Sequence, residues 1–294
     1  MQSPSKNISY MKFAAILSAF LMINLAASAQ NLHIGAYGGL ANYQGDLVDK
    51  VFDIKQTNGA IGLTAHYELS DKFLLRAAYT YAKVNGADYY NDDSSLKARN
   101  LSFESTISEF SVVGEYYFFN LYERRLSPYV FGGAAVFHFS PYTYDTKGEH
   151  VHLQELSTEG QGLPGYEKPY KLTQLAIPFG GGLRFALNDN VRIGAELGLR
   201  KLFTDYLDDV STNYADQAEL LAYKGPQAVD LAYRGDEVSF GNPTYPAGGA
   251  QRGGAKLKDW YYFTGINISL RLGSKGGGRG FGNKRGFGCP TNPM

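Results

Sequence analysis

Leu183-Arg184-Phe185-Ala186-Leu187-Asn188-Asp189-Asn190-Val191-Arg192-Ile193-Gly194-Ala195-Glu196-Leu197-Gly198-Leu199-Arg200 is the stretch on which the fold turns. Apolar side chains recur at every second position on both sides of a short polar break. Leu183, Phe185 and Leu187 precede it, and Val191, Ile193, Ala195, Leu197 and Leu199 follow it. A period of two is a β-strand, and Asn-Asp-Asn between two such runs is a tight hairpin turn. The opposite face carries Arg184, Arg192, Glu196 and Arg200. One face is therefore apolar throughout, and the other mixes both signs of charge.

The same pattern extends in both directions. Eight strands are expected, near residues 31–40, 59–69, 73–84, 105–119, 128–139, 173–187, 191–203 and 259–272. Ser70-Asp71-Lys72, Asn120 to Ser127 and Asn188 to Asn190 are short connections, and 41–58, 85–104, 140–172 and 204–258 are long ones. Long and short alternate without exception, as in a barrel with turns inside the cell envelope and loops outside. The fold class read from this order is all-β: an eight-stranded antiparallel transmembrane β-barrel with long extracellular loops and short periplasmic turns. Aromatic runs at strand ends (Tyr116 to Phe119, Trp260 to Phe263) are read as interfacial girdles. On the fifth strand the apolar face is read as Tyr129, Phe131, Ala135, Phe137 and Phe139, with His138 on the opposite, lumenal face. A soluble lipocalin-like barrel would turn its apolar face inward. It accommodates long loops at only one end less well.

Composition and the N-terminus agree with export. Lys12, the apolar run Phe13 to Leu25 and Ala27-Ser28-Ala29 form a secretory signal over residues 1–29, with Met11 as an alternative start. The apolar run is too short for a transmembrane helix. Residues 30–272 are expected to form the barrel and 273–294 a Gly-rich basic periplasmic tail, placing both termini in the periplasm of an outer-membrane protein. A formal net charge of zero argues against nucleic acid as a partner. The 23 Tyr, 18 Phe and 35 Gly suit a β-rich chain, and a single Cys rules out an internal disulfide framework.

Function classes follow from the polar residues. Glu68, Arg76, Glu109, Glu115, Arg184, Arg192, Glu196, Arg200 and Arg271 face the expected lumen. An eight-stranded barrel is just wide enough for side chains to fill, so these charges are expected to pair and plug it rather than line a solute channel. Asp205, Asp208 and Asp209 are weak candidates for a Ca²⁺ site, set against a plain helix start capped by Thr204 or Asp205. His150 and His152 can share a face and bind a transition metal, although solvated loop histidines explain them as well. His138 and Ser140 lie near the expected outer mouth, yet there is no G-x-S-x-G motif, and no catalytic activity and no cofactor are expected. In the tail, Lys275, Arg279, Lys284, Arg285 and Cys289 are candidate partner-binding residues. A lone exported Cys is either a free thiol or one half of an intermolecular disulfide.

Three phrases carry a resemblance. Gly38-Gly39-Leu40-Ala41-Asn42-Tyr43-Gln44-Gly45-Asp46-Leu47, Leu202-Phe203-Thr204-Asp205-Tyr206-Leu207-Asp208-Asp209-Val210-Ser211 and Asp259-Trp260-Tyr261-Tyr262-Phe263-Thr264-Gly265 resemble PorG-like outer-membrane proteins of Bacteroidota. Arg252-Gly253 belongs to the same pattern. The resemblance implies a small barrel of the type IX secretion system that anchors a periplasmic ring of PorK (GldK) and PorN (GldN) proteins. It implies a link to protein export and, in gliding species, to motility, and makes a PorK-like protein the expected partner of Cys289. The alternatives are a narrow small-solute channel or another paralogous outer-membrane barrel.

Overall fold

Backbone pairing closes the chain into a barrel. The structure is a computed structural model and describes residues 31–48, 54–254 and 258–273. The expected signal segment and the tail residues Lys275, Arg279, Lys284, Arg285 and Cys289 lie outside the described residues. The strands are β1 (Leu32–Gln44), β2 (Asn58–Glu68), β3 (Phe73–Ala87), β4 (Ser102–Tyr117), β5 (Leu126–Tyr144), β6 (His150–His152), β7 (Thr173–Ala186), β8 (Val191–Leu202) and β9 (Trp260–Leu272). Eight of them pair antiparallel around the ring β1-β2-β3-β4-β5-β7-β8-β9, and β9 returns to β1 from Leu32↔Leu272 to Gln44↔Trp260. Closure leaves no edge in the spanning region, the condition for strands to lie in lipid. The short β6 extends β5 beyond the end of β7.

The turns sit at one end and the long connections at the other. At the turn end, Ser70 and Asn188 cap their hairpins with side chains that accept from Phe73 N and Val191 N. The loop end holds four short helices: α1 (Ser94–Arg99), α2 (Leu153–Leu156), α3 (Gln217–Lys224) and α4 (Pro226–Ala232). No helix among the described residues is long and apolar enough to cross a membrane.

The outer wall is apolar. Ile61, Leu63, Leu75, Phe110, Val130, Leu183, Leu197, Ile266, Ile268 and Leu270 are all exposed on it. The inner face buries arginine and glutamate towards the turn end and an aromatic core towards the loop end. A soluble protein would leave so much apolar surface in water at large cost, whereas lipid accepts it.

Strand β5 reverses the sequence expectation. Tyr129, Phe131, Ala135, Phe137 and Phe139 point into the lumen and are buried, while His138 is exposed on the outer face. Both faces of β5 are apolar, so its alternation is one of size. Val130, Ala134 and Val136 suffice for the lipid face, and the bulky rings fill the lumen. The aromatic runs divide in the same way. Tyr116 and Phe118 face out, but Tyr117 stacks on Tyr129 inside, and Tyr261 and Phe263 are buried against each other. In the first run Tyr116, Phe118 and Phe119 remain exposed to serve as a girdle, and in the second Trp260 alone is not buried.

Candidate functional site

The inward charges form three paired layers. Nearest the turn end, Glu68 accepts from Arg192, from Arg271 Nη2 at 3.0 Å and from the Tyr122 hydroxyl. His33 Nε2 lies 3.2 Å from the same carboxylate. At mid-barrel, Arg76 bridges Glu196 at 2.6 Å and Glu115 at 3.0 Å. Arg184, fully enclosed, donates to Asn267 Oδ1 at 2.6 Å and lies 3.6 Å from Glu115. Above it, Arg200 forks onto both oxygens of Glu109 at 3.0 and 3.2 Å, and Tyr261 donates to Glu109 at 2.7 Å.

Rings complete the packing. Arg76 sits 4.7 Å from the Phe131 centroid, Arg184 5.0 Å from Tyr129 and Arg200 4.2 Å from Phe263. A guanidinium that loses water gains from the face of such a ring, which explains why β5 turns its aromatics inward. All nine charged residues singled out from the sequence lie in this network, each with an oppositely charged partner.

Towards the loop end the lumen becomes apolar. Phe103, Ile107, Phe137, Phe139, Leu202, Leu207, Val210 and Phe263 belong to one buried cluster that continues into the loops. Leu207 and Val210 come from the phrase Leu202 to Ser211, which does not begin a helix but folds in turns over the mouth. The wall itself supports this fold. Leu207 N donates to Asp259 Oδ2 at 2.8 Å, and the Tyr43 hydroxyl reaches Asp208 Oδ2 at 2.6 Å and Asp259 Oδ1 at 3.1 Å.

A second half of the same seal centres on Arg252. It donates to Glu159 at 3.1 Å, to the Asp209 carbonyl at 2.6 Å and to the Ala232 carbonyl at 3.1 Å. Glu159 also accepts from Ser211 N and Thr212 N. Asp209 takes the left-handed conformation (φ 65°) and accepts from Thr158 and Tyr170. Arg99 pairs with Asp88 and donates to the carbonyls of Arg252 and Asp46, while Asp46 Oδ2 accepts from Gly254 N at 2.8 Å. Residues from all four long connections therefore meet in one knot. Gly45 is required there, because a side chain would strike Tyr43 Oη and Asp259 Oδ1.

The electrostatics of the knot favour bound protons. Burial raises Asp205 and Asp209 to about 6 and holds Asp208 and Asp259 well above the ordinary carboxyl value. The geometry agrees. The Tyr43 hydroxyl has one proton and can donate to only one of Asp208 and Asp259, so the other contact needs a protonated carboxyl. The three Asp candidates do not converge on a cation. Asp205 accepts from Ser211, Asp208 faces Tyr43, and Asp209 faces Thr158 and Tyr170. Among the described residues no group of three His, Cys, Asp or Glu is placed to hold a metal ion.

His138, His150 and His152 lie on the outer wall towards the loop end. His150 and His152 share a face of β6 with ring centroids 4.8 Å apart. His152 Nδ1 is 3.1 Å from Ser140 Oγ, and His138 Nδ1 is 3.0 Å from Thr173. Ser140 and His138 thus have different partners.

Sequence reading missed several members of the knot. Tyr43, Asp46, Arg252 and Asp259 lay within the quoted phrases, whose clustering was the available signal. Asp88, Arg99 and Glu159 carried none, since each is an ordinary loop residue until the loops meet.

Closed antiparallel pairing, an apolar outer wall and a lumen filled with paired charge define the class: a β-barrel of the outer-membrane type. By its sequence, the chain belongs to the family described as "Domain of unknown function (DUF6089)", whose model matches residues 11–230. Comparison with curated proteins gave no match. Several solved barrels are similar in shape. Neisserial surface protein A has 10% identity and a TM-score of 0.41, over 82% of this chain and 97% of that one. OprG of Pseudomonas aeruginosa has 10% identity and a TM-score of 0.39, over 82% and 97%. Ail, the attachment invasion locus protein of Yersinia pestis, has 10% identity and a TM-score of 0.37, over 81% and 96%. The strand pairing establishes the fold independently of these likenesses.

Proposed function

We propose that this barrel is a non-catalytic, non-conducting anchor in the outer membrane that holds a periplasmic assembly, the PorK/PorN (GldK/GldN) ring of type IX secretion. The observation that supports it is the double closure of the pore: paired charge through the lumen and a knot of all four long connections across one end. A channel needs a continuous aqueous path, and a barrel of eight strands filled in this way offers none. The phrases that resemble PorG-like proteins, with Arg252, supply Tyr43, Asp46, Asp208, Asp209, Arg252 and Asp259 to the knot, so the resemblance bears on this site as well as on parts of β1 and β9. In this reading the knot faces the exterior, and both termini, with the basic tail and Cys289, face the ring.

Two measurements test it. Purified barrel in planar bilayers is expected to give no single-channel steps, and native membranes are expected to yield ring proteins on copurification. Steady conductance would favour the small-solute channel. Silent bilayers without copurified ring proteins would leave a sealed barrel of another paralogous kind.

A further inference from the structure

One recess formed by the described residues lies outside the lumen. A groove of about 1430 Å³ lies at the loop end against the outer wall of β8 and β9. Its floor is Leu197, Leu199 and Trp260, three outward side chains on the wall that also carries Ile193, Ile266 and Ile268. Its roof is loop: Leu96 of α1, with Tyr214 and Tyr233. The groove therefore begins on the lipid-facing surface and runs up beneath the overhanging knot.

Its chemistry changes along its length. The floor is apolar up to Trp260, which packs edge-on to Phe179 at 6.1 Å, as an aromatic at a membrane interface does. Lys201 sits directly opposite Trp260 in the β8–β9 ladder and is exposed. Among the described lining residues, Arg99, Lys201, Arg252 and Lys258 are cationic and Asp46 alone is acidic. Arg99 and Arg252 are engaged by Asp88 and Glu159, and Lys201 is the exposed cation beside Trp260 at the rim. Apolar surface below and cations at the interface match an acyl lipid with an anionic headgroup. The volume exceeds the roughly 300–1,000 Å³ of ordinary small-molecule sites, which suits acyl chains better than a compact solute.

We infer that this groove is a binding site for one phosphate-bearing anionic lipid of the leaflet at the loop end, its chains on Leu197 and Leu199 and its phosphate at Lys201. The occupant is argued from continuity, since the floor is part of the wall that the bilayer already covers. Lipid held there would differ from the rest of the boundary layer by being roofed with protein. The inference is independent of any role in secretion.

Native mass spectrometry of the full-length barrel tests it. The protein is stripped of lipid in detergent and then offered phosphatidylglycerol, lipid A, phosphatidylcholine or inorganic phosphate. One retained phosphatidylglycerol or lipid A is expected, with phosphatidylcholine at least about tenfold weaker and no retained phosphate. Lys201→Glu and Leu199→Trp should each lose the adduct about tenfold, whereas Val112→Trp, on the lipid-facing wall of β4, should keep it. Heat-modified gel mobility reports folding of every variant. Equal retention by wild type and both folded groove variants overturns the site. So does wild type that retains no lipid, or that binds inorganic phosphate as strongly as lipid.

Discussion

Removing the Glu109 carboxylate tests the lumen at its simplest pair. Glu109 is fully buried and accepts both prongs of Arg200 and the Tyr261 hydroxyl. Arg200 is itself buried, and Glu109 is the one acid in salt-bridge contact with it among the described residues. Glu109→Ala therefore leaves a buried guanidinium with a carbonyl at Gly198 and the ring of Phe263. Breaking a buried pair from one side costs about 3–5 kcal/mol, mostly as the uncompensated charge. Removing both charges with an apolar residue of similar volume is close to neutral. Glu109→Ala/Arg200→Met should then recover most of the loss. Reversible urea unfolding in lipid vesicles, followed by tryptophan fluorescence and gel mobility, measures both. A single variant within about 1 kcal/mol of wild type, or a double variant no better than the single, would refute the claim that these charges are stable only as a pair.

The orientation of β5 makes a sharp contrast: Phe137→Ala should cost about 3–5 kcal/mol, because it empties a buried aromatic site, while His138→Ala should lie within about 0.5 kcal/mol of wild type. Equal effects in the same unfolding assay would return β5 to the opposite facing. On the lipid side, Ile266→Arg at the centre of β9 should cost about 2–4 kcal/mol. Ile177→Arg, opposite the interfacial Lys201, should cost about 0–1 kcal/mol. The knot should weaken with rising pH. Asp205 and Asp209 have folded values raised to about 6, and Asp208 and Asp259 are held well above the ordinary carboxyl value, so the contribution of these four is full below the unfolded value and is lost as pH rises through the folded one. Hydrogen exchange at Leu207 and Val210 should be faster at pH 8 than at pH 5.5 after correction for intrinsic rates. Asp259→Asn should flatten that dependence, since an amide can accept from Leu207 N and donate to Tyr43 without titrating.

By itself, the sequence determined the strand period, the order of turns and loops, and the facing of every strand that carries charge. Those features follow from local chemistry. A period of two defines two faces, a polar break defines a turn, and arginine or glutamate cannot face lipid without a large cost. Val191 to Leu202 contains all that is needed to orient β8. Only the tertiary structure decided the facing of β5, because its two faces differ in bulk and not in polarity. It alone decided which charges pair. Arg200 finds Glu109 across 91 residues and Arg271 finds Glu68 across 203, distances set by ring closure and invisible to any local window. It also decided that Asp205 to Ser211 forms a seal in place of a helix. Tyr43, Glu159, Arg252 and Asp259 satisfy that segment from elsewhere in the chain, and hydrogen bonds from distant residues outweigh the weak local preference of a capped turn.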